Sequence, residues 1–178
     1  MSLTDAVFTL WGVFALYWLL AALTAKHGTR RQLGRTRAVV LIAGLALARV
    51  FRNGGLPVHN SAVRGVGVAL LVCGLGLAVW ARVYLGRNWG MPMTQKDEPE
   101  LVTAGPYKRV RHPIYSGLLA AALGTVLATN LYGLIALAAL AAYSIYSAKV
   151  EERQLCATFP AAYPPYKAQT KMLIPFVL

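Results

Sequence analysis

Five apolar runs alternate with polar segments along this chain of 178 residues. The runs extend over Val7 to Thr24, Ala38 to Phe51, Val63 to Val83, Ile114 to Thr129 and Leu131 to Ala148. A helix that crosses the hydrocarbon core of a bilayer needs about 20 mainly apolar residues, and all runs except the short second one approach that length. The pattern predicts five transmembrane helices, and therefore an all-α polytopic membrane protein.

The last two runs are separated only by Asn130 and its neighbours. A connection this short forces two helices into an antiparallel hairpin. The hairpin returns the chain to the side that it left, so Glu151 and Glu152 are expected on the same membrane face as His112. The tail that follows is rich in proline, which argues against a continued helix.

The third run has an unusually small-residue surface, contributed by Gly65, Gly67, Cys73, Gly74, Gly76 and Ala78. Small residues let membrane helices approach closely, because lipid provides no hydrophobic drive for their association. No two glycines of the run are four positions apart. The run therefore predicts close helix packing without a Gly-x-x-x-Gly dimer motif.

Composition and charge support the membrane class and set the orientation. Hydrophobic residues make up 57% of the chain and charged residues 13%, whereas a soluble domain has about 25% charged residues. The net charge of +12 lies in short blocks between apolar runs, which excludes the basic face of a soluble nucleic-acid-binding module. By the positive-inside rule the acid-free loop from Lys26 to Arg37 is cytoplasmic. The predicted location is the cell (inner) membrane, with the N-terminus outside, the C-terminus in the cytoplasm and anionic lipids as partners.

The polar stretch from Gly105 to Gly117 opens the fourth run, and two interpretations fit it. In the plain one, Pro113 starts the helix and His112 only accepts a bond from the exposed helix end. In the functional one, the positive helix end faces the carboxylates of Glu151 and Glu152 across a cleft. Such a cleft offers donors for a carboxylate and acceptors for an ammonium or sulfonium, which suits a zwitterionic cofactor.

A set of motifs follows in fixed order through the C-terminal half of the chain. They are Gly105-Pro106-Tyr107, Arg111-His112-Pro113-x-Tyr115-x-Gly117, Glu151-Glu152-x-x-Leu155 and Tyr163-x-x-Tyr166, with Leu85-Gly86-Arg87-Asn88-Trp89 as a lead-in. As an ordered set they resemble the isoprenylcysteine carboxyl methyltransferase family, which forms a wider group with the phospholipid N-methyltransferases. The resemblance covers about residues 85 to 175.

The resemblance implies one integral-membrane methyltransferase domain over residues 1–178, with a three-helix membrane part (1–83) and a cofactor-binding catalytic part (84–178). It implies S-adenosylmethionine as methyl donor in a cytoplasmic pocket, and no metal. The implied cofactor-binding positions are Leu101, Val102, Gly105, Tyr107, His112, Pro113, Tyr115, Glu151 and Glu152. The implied catalytic positions are Arg111, His112 and Glu152, with Arg109 and Arg111 as candidates for orienting carboxylates.

The expected reaction is an in-line displacement at a sulfonium methyl, to which a protein contributes positioning and exclusion of water. A carboxylate or thiolate acceptor needs no general base, whereas an ammonium must first lose a proton. No residue of the motifs stands out as a base, which favours a carboxylate or thiolate on a lipophilic acceptor and leaves an amine open.

Two other classes of protein also stay open. A membrane oxidoreductase similar to the sterol reductases would hold the 2′-phosphate of NADPH with Arg109 and Arg111. A non-catalytic membrane or transport protein is the second, although the apolar runs contain no interior acid or histidine relay.

Overall fold

A computed structural model describes residues 2–22, 55–86 and 100–174, and the regular structure within these ranges is helical. In our numbering the helices are α1 (Leu3–Ala22), α2 (Ser61–Leu85), α3 (Pro113–Ala128), α4 (Gly133–Thr158) and α5 (Tyr163–Gln169), with a 3₁₀ turn at Gly105–Lys108. The predicted all-α class is confirmed for the described part of the chain.

Three of these helices are long and apolar enough to cross a membrane: α1, over Leu3–Ala21, together with α2 and α4. The fourth apolar helix, α3, has 16 residues and is about 24 Å long, which is less than the ~30 Å of a hydrocarbon core. The predicted second span, Ala38 to Phe51, lies outside the described residues. The prediction of five spans therefore corresponds to four described helices, of which three have the length of a span.

The antiparallel helices α2 and α3 pack with their backbones in close contact. A Cβ atom on Gly67 would lie 2.6 Å from the α3 backbone, and one on Gly74 would lie 2.5 Å from it. The reciprocal positions on α3 are Gly124 and Gly117, whose added Cβ atoms would meet the α2 backbone at 2.4 and 2.6 Å. The close packing predicted from the small residues of α2 is thus confirmed, with two glycine pairs as its contact points.

Helix α1 lies beside this pair and runs parallel to α2. Near its start, Val7 is buried in a cluster with Leu71, Leu75, Ala121 and Ala128. At its far end the Ala21 carbonyl accepts a hydrogen bond of 2.6 Å from Nη2 of Arg82, in the last turn of α2. Both helices therefore end at the same side of the bundle, which we call the site end.

The opposite end of the bundle is closed by backbone bonds around the α3–α4 connection. Pro57 and Asn130 form an antiparallel bridge, with bonds from Val58 N to Thr129 O (3.0 Å) and from Leu131 N to Leu56 O (2.9 Å). The predicted hairpin of α3 and α4 is confirmed, and it brings the end of α4 back to the site end.

The ends of the last helices differ from the prediction. Helix α4 continues to Thr158, beyond the predicted end at Ala148, because the charged residues that follow Ala148 are good helix formers that leave the membrane without leaving the helix. The prediction that the proline-rich tail does not continue this helix is confirmed, since α4 stops before Pro160. The short helix α5 was not predicted; its prolines lie in the first turn, where no backbone N–H is needed.

Candidate active site

Three segments meet at the site end: the stretch before α3, the outer part of α4, and the C-terminal tail, by which we mean α5 and the residues that follow it. Val110 and Lys171 form a parallel bridge. The N–H of Arg111 donates to Lys171 O at 2.8 Å, and the N–H of His112 donates to Met172 O at 3.1 Å. These bonds fix the tail against the start of α3, so the motif side chains and the tail side chains share one small volume.

The side chain of Arg111 is 9% exposed, and its guanidinium is bonded to other groups of the protein. Its Nε donates to Glu152 Oε1 at 2.7 Å. Its Nη1 donates to the carbonyl oxygens of Lys167, at 3.1 Å, and of Thr170. This predicted catalytic residue therefore clamps the tail onto α4. It belongs to an ion cluster, called the cluster below, that consists of Arg111, His112, Glu151, Glu152 and Lys167.

Glu152, the other predicted ligand, is buried beneath the same tail. Its side chain is 4% exposed and lies between three basic groups. Besides Arg111, these are Lys167, whose Nζ is 2.7 Å from Oε2, and His112, whose Nε2 is 3.4 Å from Oε1. A buried carboxylate with this many partners is satisfied by the protein.

Glu151 has a different environment, although it is the next residue. It accepts a hydrogen bond of 2.6 Å from the Tyr115 hydroxyl, and its Oε2 is 3.5 Å from Nδ1 of His112. Its side chain is 27% exposed. Of the two predicted glutamates, Glu151 is therefore the more exposed.

His112 connects the two glutamates. It is buried and stacks on the ring of Tyr115 with the centroids 5.6 Å apart. Burial opposes a charge on the ring, but the adjacent carboxylates of Glu151 and Glu152 outweigh it and raise the pKa of His112 above its usual value. Nε2 makes no hydrogen bond within the described part of the chain. The plain interpretation of His112 as a helix cap is wrong, because the side chain makes no capping bond at the start of α3.

The 3₁₀ turn supports the cluster from the side of α2. Gly105 has φ 58°, and a Cβ there would lie 2.6 Å from the ring of Tyr84. Tyr107 is buried, and its carbonyl accepts a hydrogen bond of 2.8 Å from the Tyr166 hydroxyl. These two predicted positions therefore link α2 to the tail.

The remaining predicted cofactor positions lie around this turn. Pro113 is buried as the first residue of α3. Leu101 and Val102 are half-buried in the segment that leads into the turn. Their contact with a cofactor stays a prediction.

Sequence reasoning did not identify two residues whose side chains are bonded at the site end. Lys167 pairs with Glu152, yet its charge in the tail resembled an ordinary topology signal. Arg82 is buried, and donates to Ala21 O and to Gly86 O, each at 2.6 Å. Its place in the last turn of an apolar run, where an arginine usually reaches for headgroups, gave no sign of these bonds.

A cavity of about 350 Å³ adjoins the cluster. Its wall consists of Arg111 and residues 167–172. Among the described residues no group of three His, Cys, Asp or Glu side chains could hold a metal ion.

Comparison with known proteins assigns the chain to a family. The model of the family described as phospholipid methyltransferase matches residues 63–162, which is more than half of the 178 residues. The chain belongs to the phospholipid methyltransferase family. This confirms the wider group that the ordered motifs indicated.

Individual relatives match the chain over parts of their length. CzcN, the cobalt-zinc-cadmium resistance protein of Cupriavidus metallidurans, is 30% identical over 150 residues, which are 83% of this chain and 65% of CzcN. Methanethiol S-methyltransferase 2 of Bradyrhizobium diazoefficiens is 42% identical over 69 residues, 39% of this chain and 26% of that protein. The chain thus spans less than two thirds of each relative.

A solved structure supports the fold. The eukaryotic intramembrane Ras methyltransferase ICMT (isoprenylcysteine carboxyl methyltransferase) superposes with a TM-score of 0.64 at 23% identity, over 79% of this chain and 53% of ICMT. This match shows a shared fold, while the apolar helices and the family match identify an integral membrane protein of a methyltransferase family.

Proposed function

We propose that the protein is an integral-membrane methyltransferase that uses S-adenosylmethionine to methylate a lipophilic acceptor at the cytoplasmic membrane face. The observation that carries the proposal is the buried ion cluster at one end of an apolar bundle. In it Glu152 is buried among three basic groups, and its neighbour Glu151, bonded to Tyr115 and close to His112, is partly exposed. Family membership supports methyl transfer as the reaction.

The residues of the cluster fit a zwitterionic cofactor with a sulfonium centre. Glu151 presents an accessible carboxylate that can hold an ammonium or face a positive sulfur. Glu152 was expected in this role, but its three basic partners leave it as the group that positions Arg111 and Lys167. Since Arg111 is also occupied, the exposed Arg109 is the better candidate for a cofactor carboxylate.

S-adenosylmethionine, when bound, supplies a methyl group that is already activated by its sulfonium. The chain then has to orient the acceptor and exclude water, and the tail bonded across the start of α3 does so. With its raised pKa, His112 keeps its proton to a higher pH than a free imidazole, and while protonated it cannot act as a general base.

These properties favour an acceptor that arrives as an anion, a carboxylate or a thiolate. The name of the Bradyrhizobium relative, a methanethiol S-methyltransferase, is consistent with a thiol. The name of ICMT, a Ras methyltransferase of the carboxyl type, is consistent with a carboxylate. A lipophilic acceptor can enter sideways between apolar helices, which gives a reason for a membrane-embedded site.

The reductase alternative is weakened by the same geometry. It requires Arg109 and Arg111 to bind a 2′-phosphate together, but the guanidinium of Arg111 is bonded to Glu152 and to two tail carbonyls. No described feature favours NADPH over a sulfonium cofactor.

Calorimetric titration of the detergent-purified protein with S-adenosylmethionine, and separately with NADPH, tests the proposal. We expect micromolar binding of S-adenosylmethionine, a loss of about tenfold or more in Glu151→Gln, and unchanged binding in Arg153→Gln. Arg153 is exposed on α4 next to the pair and serves as the matched control. Binding of NADPH instead, or no loss in Glu151→Gln, would overturn the proposal.

A further inference from the structure

The cavity beside the cluster has an excess of positive charge. Three of its lining residues are cations, Arg111, Lys167 and Lys171, and none is acidic. One carboxylate, that of Glu152, serves both Arg111 and Lys167. Three positive charges against one negative charge leave an excess of two, so the cavity suits an anion.

The wall of the cavity is held in place by main-chain bonds. Lys171 N donates to Arg109 O at 3.3 Å, and Lys171 O accepts from Arg111 N at 2.8 Å. Arg111 also bonds the carbonyls of Lys167 and Thr170. An anion would therefore meet cations on a wall that is already ordered, and less conformational entropy would be lost on binding.

Two of these cations remain available to a ligand. The side chain of Lys167 is 45% exposed although its Nζ contacts Glu152. Lys171 is exposed, and it has no ion pair within residues 2–22, 55–86 and 100–174. The available volume, about 350 Å³, is in the range of small-ligand pockets.

The position of the cavity relative to the membrane suggests the source of the anion. Exposed aromatic side chains occur near the site end of both long helices: Trp80 and Tyr84 on α2 and Tyr146 on α4, with 50%, 46% and 62% exposure. Tryptophan and tyrosine are enriched where the hydrocarbon meets the headgroups. On α4 the exposed Lys149 and Arg153 follow Tyr146 within two turns, which places the cavity at headgroup level.

From this geometry we infer that the cavity binds the phosphate of an anionic membrane phospholipid. At headgroup level the lipid phosphate is the abundant anion. The neighbouring cations favour a lipid with net negative charge over a zwitterionic one, whose ammonium they would repel. The inference does not depend on the identity of the methyl acceptor.

Native mass spectrometry of the full chain in detergent can test this inference with three probes. These are phosphatidylglycerol, phosphatidylcholine with the same acyl chains, and inorganic phosphate. We expect phosphatidylglycerol to be retained in preference to phosphatidylcholine. Lys171→Gln should weaken its retention roughly fivefold, as one lysine near a lipid surface contributes about 1 kcal/mol, and Lys171→Arg should restore it.

Lys108→Gln is the matched control, because Lys108 is an exposed cation at the same end outside the cavity wall. An equal loss of lipid retention in both glutamine variants would mean that retention depends on the overall positive charge of the surface, and it would overturn the inference. Displacement of the lipid by S-adenosylmethionine would assign the cavity to the cofactor and also overturn it. Binding of inorganic phosphate without retention of phosphatidylglycerol would replace the lipid with free phosphate. Thermal unfolding midpoints close to that of the wild type will verify that the variants fold.

Discussion

At the scale of residues, two adjacent glutamates on one helix differ in their burial and in their partners. Glu152→Gln removes the charge that compensates Arg111 and Lys167. Because Arg111 would stay buried, we expect a loss of about 3 kcal/mol in the free energy of unfolding, typical of breaking one side of a buried ion pair. The measurement is denaturant unfolding in detergent, followed by tryptophan fluorescence.

The control for this substitution is again Arg153→Gln, which removes an exposed charge one position away and should change the stability by less than about 0.5 kcal/mol. An equal effect of the two substitutions would contradict the burial of the cluster. Glu151→Gln should cost less stability than Glu152→Gln, since the side chain of Glu151 is 27% exposed and that of Glu152 only 4%.

His112 makes the stability depend on pH in a defined direction. Its pKa is raised in the folded protein by the carboxylates of Glu151 and Glu152. A raised pKa adds stability that is fully present below the unfolded value of about 6.5 and is lost as the pH rises through the folded value. The advantage of the wild type over His112→Gln in unfolding temperature should therefore be largest in acid and shrink with increasing pH. An advantage that grows with pH would contradict the arrangement of His112 between the two carboxylates.

The residue types of the site could be predicted, but their pairing could not. The motifs brought Arg111, His112 and the glutamates to one membrane face, and the structure places them in contact. Sequence reasoning assigned Glu152 to the ligand, because the partners that occupy it come from a tail whose path was unknown. Lys167 was missed for the same reason: a lysine among prolines and tyrosines carries no local sign of a buried partner.

At the scale of elements, the contact between α2 and α3 depends on which glycines face it. Gly74→Ala would place a Cβ 2.5 Å from the α3 backbone, so the helices must separate. We expect a loss of about 1–3 kcal/mol in stability, as for other overpacked contacts. Thermal unfolding in detergent measures the change.

Gly76→Ala is the matched control on the same helix, because no atom lies within 4 Å of its added Cβ. Its stability should be unchanged or rise by up to about 1 kcal/mol through the better helix propensity of alanine. A Gly74→Ala protein as stable as Gly76→Ala would contradict the close approach of α2 and α3.

The presence of the helices was easier to predict from the sequence than their ends. Apolar runs gave α1, α2, α3 and α4, but their boundaries were drawn where hydrophobicity ended. For α4 this criterion failed, because residues beyond Ala148 continue the helix in water. The sequence also indicated that small residues of α2 pack closely. It could not show that Gly67 and Gly74 face α3 while Gly65 and Gly76 do not.

At the scale of the whole molecule, charge is distributed unequally between the two ends. The described residues include nine lysines and arginines, and eight of them, all except Arg64, lie at the site end. Ala22 lies at the site end and Gly55 at the opposite end. The chain therefore changes ends between these two residues, as the prediction of five spans requires. The number of spans remains a prediction, because residues 38–51 lie outside the described part.

The charge asymmetry predicts that the site end faces the cytoplasm. Single cysteines in a Cys73→Ser, Cys156→Ser background can test this with a membrane-impermeant maleimide. The probe positions are His59→Cys at the opposite end and Ala161→Cys in the turn between α4 and α5, both exposed. In intact bacterial cells we expect labelling of His59→Cys alone, and in inverted vesicles labelling of Ala161→Cys alone. The reversed pattern would put the ion cluster outside the cell, away from cytoplasmic S-adenosylmethionine, and would contradict both the orientation and the proposed cofactor. Labelling of both positions from one side would contradict an α2 that crosses the membrane between the two ends.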